Sequence, residues 1–305
     1  MATSGLSGVL TLDKPRGYTS HDVVACVRRA LRTRAVGHAG TLDPMATGVL
    51  VALVGEATKL APWLTAQDKA YEATVALGVE TDTLDADGRE VRREPLSPEL
   101  RAALSETSAI APFVETALEI ERNRTSQLPP VYSAIQVEGE RAYAMARRGA
   151  PPVLAARAVH VLRLDLASWG NEPAHFSVAL EVSKGYYVRS LARDIAAAVG
   201  TVGHLTSLRR LRSGPFELAS ALALDASSEA MRERLVSPAV AASRALPIGR
   251  LTSSGAEDAR HGRRVHPTAI AAPSRGACAW LDAEGELVAI GEIEPDGGGR
   301  VLRGF

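Results

Sequence analysis

Gly37-His38-Ala39-Gly40-Thr41-Leu42-Asp43-Pro44-Met45-Ala46-Thr47-Gly48-Val49-Leu50-Val51-Ala52-Leu53-Val54 joins a glycine-flanked turn to an unbroken apolar run. Residues 49–54 read as a strand. The turn before them places one carboxylate, Asp43, among residues that restrict its direction. Glycine lets a backbone take dihedrals closed to other residues and approach a ligand closely. Pro44 fixes its own φ and biases Asp43 away from the helical region. Read alone, Asp43-Pro44 is also a helix start, with Asp as cap and Pro at the first helical position.

Working outward, residues 8–12 read as a short strand, followed by a helix capped by Thr19 or Ser20 and running to about residue 33. Val23, Val24, Val27 and Leu31 form its apolar side. A helix is expected near 56–65, an alternating strand over 71–77, a solvated polar loop over 81–88 and a short helix over 98–104. Residues 121–152 hold five arginines and four prolines with little helical or strand period. They read as a mobile basic excursion, since a long loop in a compact domain is functional or disordered. Strands over 159–166 and 176–182 precede a turn at 183–185 and a helix over 189–199. A short helix over 206–211 would carry Arg209 and Arg210. Residues 219–245 read as an alanine-rich helical connector. From residue 246, glycines and prolines (Pro273 among them) punctuate short apolar runs, which predicts a small β-rich domain. Strands and helices mix without strict βαβ alternation, so the fold class is α+β: a mixed, largely antiparallel sheet flanked by helices. The domains divide at 1–245 and 246–305.

The 305 residues are 46% hydrophobic and 23% charged, the balance of an ordinary globular protein. The first residues, Met1 to Gly5, have neither the basic start nor the apolar core of a secretory signal. No apolar run approaches the roughly 18 residues of a membrane helix, so the expected location is the cytoplasm. Cys26 and Cys278 read as two reduced thiols, and no His/Cys cluster has metal spacing. Net charge is zero but segregated: +3 over residues 1–70, −7 over 71–120, +2 over 121–150 and +4 over 151–215. One acidic segment cancels basic neighbours, which leaves the local basic face that phosphate contacts require.

The segment from His38 to Leu50 resembles the catalytic motif of the bacterial tRNA pseudouridine-55 synthases, the TruB family. Six more segments resemble that family in order. They are residues 8–20 (Gly-Val-Leu-Thr-Leu-Asp-Lys-Pro-Arg-Gly-Tyr-Thr-Ser), Lys69-Ala70-Tyr71, residues 78–85 and Gln127-Leu128-Pro129-Pro130-Val131-Tyr132-Ser133-Ala134. Gly185-Tyr186-Tyr187-Val188-Arg189-Ser190-Leu191 and residues 203–210 complete the set. The resemblance covers about residues 8–216. Two positions depart from the family's usual pattern. Val182 stands where Cys is frequent and Tyr186 where Thr is frequent, which bears on packing around Tyr187.

The resemblance implies isomerisation of one tRNA uridine, in the T arm, to pseudouridine. Neither cofactor nor metal is implied. Asp43 is the implied nucleophilic or basic carboxylate. Arg189 is its candidate partner, because a nearby cation opposes the pKa rise that desolvation brings. The base must be flipped out of a folded loop. Tyr71 corresponds to the tyrosine that packs on it, Tyr187 to a second pocket tyrosine near enough for proton transfer, and Leu208 to an apolar pocket residue. His38 corresponds to a histidine that enters the RNA loop. Lys14 and Pro15 are read as structural support for the Asp43 loop. Residues 121–152 correspond to an inserted RNA-binding thumb, and 246–305 to the position of a PUA-like RNA-binding domain. The implied partner is the T-arm stem-loop of tRNA, bound by a monomer with no obligatory protein partner and no membrane. A tRNA-folding chaperone and a glycosidase-type hydrolase are the competing readings. The latter wants two carboxylates flanking the bond, and only Asp43 sits in such a motif.

Overall fold

A computed structural model describes residues 5–106, 108–271 and 276–305; the readings of residues 1–4 and of Pro273 lie outside the described residues. The chain divides into two compact units. One comprises Met1–Asp43, Gly48–Gln67 and Ser213–Phe305, the other Pro44–Thr47 and Asp68–Arg212.

In the first unit, β1 (Gly8–Lys14) is followed by α1 (Ser20–Leu31), β2 (Val36–Ala39) and β3 (Thr47–Val54). β1 and β3 pair antiparallel, with Gly8 opposite Val54 and Lys14 opposite Gly48. β2 also lies antiparallel on β3, with Ala39 opposite Val51. Every β3 residue after Thr47 is buried, which explains an apolar run without alternation. α1 opens on a capping box. The Thr19 hydroxyl accepts the Asp22 N–H while the Asp22 carboxylate accepts the Thr19 N–H. Its buried stripe is the expected Val23, Val24, Val27 and Leu31. The single helix expected near 56–65 is a 3-10 turn, Gly55–Leu60, followed by α2 (Ala61–Thr65).

In the second unit, β4 (Lys69–Leu77) buries alternate residues from Lys69 through Leu77, the half-covered pattern predicted for it. β5 (Val79–Thr81) pairs with β6 (Glu90–Arg93), and α3 (Pro98–Ser105) and α4 (Pro112–Arg122) follow. The sequence reading placed no helix at α4.

The excursion at 121–152 departs from the structureless loop expected there. β7 (Ser126–Gln127) leads to a hairpin of β8 (Gln136–Val137) and β9 (Glu140–Arg141), then α5 (Ala142–Arg147). β7 pairs with β10 (Arg157–Ala158) just beyond it. Elements of two to six residues are too short to print a period on the sequence.

β11 (Val161–Asn171), β12 (Ala174–Val182), α6 (Val188–Ala198) and β13 (Gly203–Ser213) complete the unit. The sheet order is β11-β12-β4-β13, with Tyr71 opposite Leu180 across the antiparallel β12–β4 pair. α6 packs on β4 and α4. The helix expected at 206–211 is therefore wrong. Those residues lie within β13, where the fully buried Arg210 occupies a position that an amphipathic reading leaves exposed.

The chain then returns to the first unit with β14 (Phe216–Glu217) and β15 (Leu222–Ala223), whose Leu222 lies parallel and opposite Leu12 of β1. The connector expected to be helical is α-helical only in α7 (Ser228–Glu233) and α8 (Pro238–Ala245), with a short 3-10 turn at Leu218–Ser220. The β-rich texture after residue 246 becomes a five-stranded sheet. β16 (Ile248–Leu251), α9 (Ser253–Arg260), β17 (Ile270–Ala271), β18 (Ala277–Leu281), β19 (Leu287–Ile293) and β20 (Gly299–Gly304) occur in that order. The strands lie β17-β16-β18-β19-β20. This sheet shares a core with the N-terminal strands: Ala279, Leu281 and Ile290 join Val9, Val49, Leu53 and the alanines of α8.

Candidate active site

The Asp43 loop is built from its flanks inward. Gly40 leaves β2 at φ +90° and Gly48 enters β3 at φ +100°, a region that penalises any side chain with a Cβ. Between them the anchor is Leu42, fully covered and held by Ser20 at the start of α1. The Ser20 hydroxyl accepts the Leu42 N–H at 2.9 Å and donates to its carbonyl at 3.2 Å. Ser20 is set in turn by the preceding turn. Buried Lys14 donates to the carbonyls of Pro15 at 3.1 Å and Tyr18 at 2.7 Å. Lys14 thus ties down the turn that leads into Ser20. No helix follows Pro44; residues 44–45 form a turn and β3 begins at Thr47, so the cap reading of Asp43-Pro44 fails. Asp43 is half-buried, one residue from the Ser20 clamp. His38 lies on β2, half-buried, with the His21 ring edge-on to it at 6.0 Å.

The other expected residues belong to the second unit. Tyr71 on β4 and Leu208 on β13 are buried and lie on neighbouring strands. Lys69, on the same face as Tyr71, is buried, and desolvation pushes its ammonium down to about 8, assisted by the nearby Arg210. Arg209 donates to the Thr47 hydroxyl at 3.2 Å, four residues beyond Asp43.

Tyr187 stands at the N-cap position of α6, and Arg189 is the second residue of that helix. The buried Arg189 guanidinium donates to the carbonyls of Thr83 at 3.0 Å and Tyr132 at 2.9 Å, and it lies 3.6 Å from the Asp85 carboxylate. Asp85 corrects the solvated reading of residues 81–88. It is buried, its carboxylate accepts the Thr83 hydroxyl at 2.6 Å and the Asp87 N–H at 3.1 Å, and the preceding Leu84 takes φ +62°. Asp85 thus holds the Arg189 guanidinium in a buried ion pair that sequence reasoning did not single out. Its only sequence signal is its place in the 78–85 segment.

A second missed group lies beside it. The Gln127 carboxamide accepts the Tyr187 N–H at 2.8 Å and donates to the Tyr187 carbonyl at 3.2 Å. The buried Tyr186 phenol donates to Glu121 at 2.6 Å, and Glu121 also takes the Arg124 Nε–H at 2.6 Å. The departure at Tyr186 thus has a structural partner.

Residues 28–188 match the TruB family pseudouridylate synthase N-terminal domain, and residues 189–237 match the tRNA pseudouridylate synthase B C-terminal domain. The chain belongs to the TruB family of pseudouridylate synthases. Among its TruB relatives, the tRNA pseudouridine synthase B of Mycobacterium sp. (strain KMS) is 42% identical over 97% of this chain and 95% of its own. That of Thermobifida fusca (strain YX) is 42% identical over 87% and 89%. The crystal structure of a Cbf5-Nop10-Gar1 complex superposes with a TM-score of 0.70 at 25% identity, over 93% of this chain and 78% of that chain. Among the described residues no helix is long and apolar enough to cross a membrane.

Proposed function

We propose that this TruB-family enzyme converts uridine 55 in the T loop of tRNA to pseudouridine. The name shared by its relatives supports tRNA as substrate. The observation that carries the reading is a half-buried carboxylate, Asp43, next to a residue, Leu42, whose backbone N–H and carbonyl are both clamped by Ser20.

The N1–C1′ bond breaks, the freed uracil turns, and C5 bonds to C1′. The C5 hydrogen leaves as a proton and N1 gains one, so atoms and electrons balance without oxidant, reductant or imported group. Asp43 supplies the nucleophilic or basic carboxylate and is regenerated. The balance is the same whichever atom of the nucleotide it engages first. Arg189 supplies the positive charge that keeps the carboxylate ionised. Tyr71 stacks on the flipped base, Leu208 gives an apolar wall, Tyr187 lies within reach for proton transfer, and His38 fills space the base has left. The enzyme acts in the cytoplasm as a monomer, without cofactor, metal or obligatory protein partner. The sheet over residues 248–304 serves as a PUA-like RNA-binding surface.

The test is to incubate the protein and Asp43→Asn with unmodified tRNA transcript in the absence of metal and map pseudouridine by carbodiimide labelling and primer extension. A stop at the T-loop uridine with wild type, and a rate about 10⁴-fold lower or worse with Asp43→Asn, supports the reading. Tight tRNA binding by both proteins with no product from either sinks it and leaves a tRNA-folding chaperone.

A further inference from the structure

The segment that opens the excursion is stitched to the segment carrying Tyr187 and Arg189. Glu121 takes the Tyr186 phenol. Gln127 grips both backbone groups of Tyr187. The Leu128 carbonyl accepts the Ser190 hydroxyl at 2.8 Å and Arg193 at 3.1 Å, and the Tyr132 carbonyl accepts Arg189 at 2.9 Å. Arg124 lies 3.6 Å from Asp194. Residues 121–132 and 186–194 thus form one hydrogen-bonded unit around the start of α6.

Within it, Gln127 has a distinctive task. Tyr187 stands at the N-cap of α6 but has no side chain that can cap the helix. The Gln127 amide supplies the donor and acceptor that a paired strand would supply, both to one residue. Gln127 is itself almost fully buried, so this geometry has no competing water. Burial also raises the Tyr186 phenol well above its ordinary value, which keeps it a neutral donor to Glu121.

We propose that Gln127 is a positioning residue for Tyr187. Its carboxamide fixes the main chain from which the Tyr187 phenol is aimed, with the Tyr186–Glu121 bond bracing the residue before. This rests on the reading of Tyr187 as a group that acts on the flipped uridine. Displacement of the excursion root then moves the Tyr187 phenol, and a shift of about 1 Å at such a group lowers turnover about 100-fold.

The experiment compares wild type, Gln127→Met, Tyr187→Phe and the double variant on T-arm RNA, with kcat, KM and thermal unfolding measured for each. Gln127→Met keeps the volume and removes both bonds. The expected result is a 10- to 100-fold fall in kcat with KM within about two-fold and the protein fully folded at the assay temperature. In the Tyr187→Phe background the same change should lower kcat less than about three-fold, because the group it positions is gone. Equal losses in the two backgrounds, or an unchanged kcat in Gln127→Met, would overturn the inference. Should Gln127→Met fail to fold, Tyr186→Phe removes one bond from the same brace with packing retained. Its kcat must then fall in the wild-type background and not in Tyr187→Phe. An active wild type with an unimpaired Tyr187→Phe would reject the role of Tyr187 and this inference together. A wild type that makes no pseudouridine would reject the uridine-55 reading itself.

Discussion

Lys69 is a buried ammonium whose desolvation is measurable as a pH dependence of stability. It lies on the covered face of β4, two residues before Tyr71, and burial with Arg210 nearby pushes its pKa from 10.5 to about 8. In the unfolded chain the amine keeps its ordinary affinity for protons. Between about pH 8 and 10.5 the unfolded state therefore binds one more proton than the native state, and stability rises with pH. Below about pH 8 both states are protonated, the slope vanishes, and the native state carries the full desolvation penalty. At 1.36 kcal/mol per unit, the rise across the window is roughly 3 kcal/mol. Lys69→Met retains the unbranched stem without the charge, so it lacks this rise. The other titrating groups are common to both proteins and cancel in the difference.

The assay is denaturant unfolding of wild type and Lys69→Met at intervals from pH 7 to 10.5. Relative to wild type, the variant should lose roughly 3 kcal/mol of its advantage as pH rises through the window. The absolute difference at pH 7 also contains the packing change, so the pH-dependent part is the quantity that tests the reasoning. Parallel curves for the two proteins would refute it and mean that Lys69 is protonated at little cost in the folded state.

Two further outcomes follow from named contacts. Ser20→Ala leaves the Leu42 N–H and carbonyl without their buried partner, which should destabilise by about 1–3 kcal/mol; because Leu42 adjoins Asp43, kcat on tRNA should fall further than binding does, as single-turnover kinetics and filter binding would show. Gly291→Ala places a Cβ in steric clash with atoms of the buried Trp280 ring, so its thermal unfolding should report a loss of about 1–3 kcal/mol, with pseudouridine formation unchanged at temperatures where the variant is folded.

The fold was most readable where local chemistry and burial agree. The Thr19 cap and the apolar side of Val23, Val24, Val27 and Leu31 announced α1, the apolar run at 49–54 announced β3, and alternation announced β4. Misreadings fall where a buried polar residue breaks the pattern. Arg210 made β13 resemble an exposed basic helix, although it is fully covered. α4 has buried Val114, Ala117, Leu118 and Glu121 at helical spacing, but its last member is a carboxylate. That carboxylate is tolerated because Tyr186 and Arg124 both reach it. Arg124 is three residues on, but Tyr186 is 65 residues away and outside any local reading, and burial pushes the Glu121 carboxyl above its usual range against those two bonds.

The candidate site divides along the same line. The turn that carries Asp43 was legible because glycine and proline leave it few other conformations. Asp85, Gln127 and Glu121 were not, because each is defined by a partner more than 55 residues away in the chain. Their common feature is the kind of group they hold. Ser20 and Gln127 grip backbone atoms of Leu42 and Tyr187, while Thr83 and Tyr132 offer carbonyls to Arg189. A backbone group has the same chemistry whatever side chain it bears. These clamps therefore constrain where the neighbouring side chains project without constraining which side chains they are. Tyr186 can replace the threonine frequent in the TruB family at a position adjoining a clamped residue, provided its phenol finds an acceptor. Glu121 is that acceptor, so Glu121→Ala should be harmful beside Tyr186 and much less so beside a threonine introduced as Tyr186→Thr. A double-mutant cycle on thermal stability measures this coupling, and additive losses would disprove it.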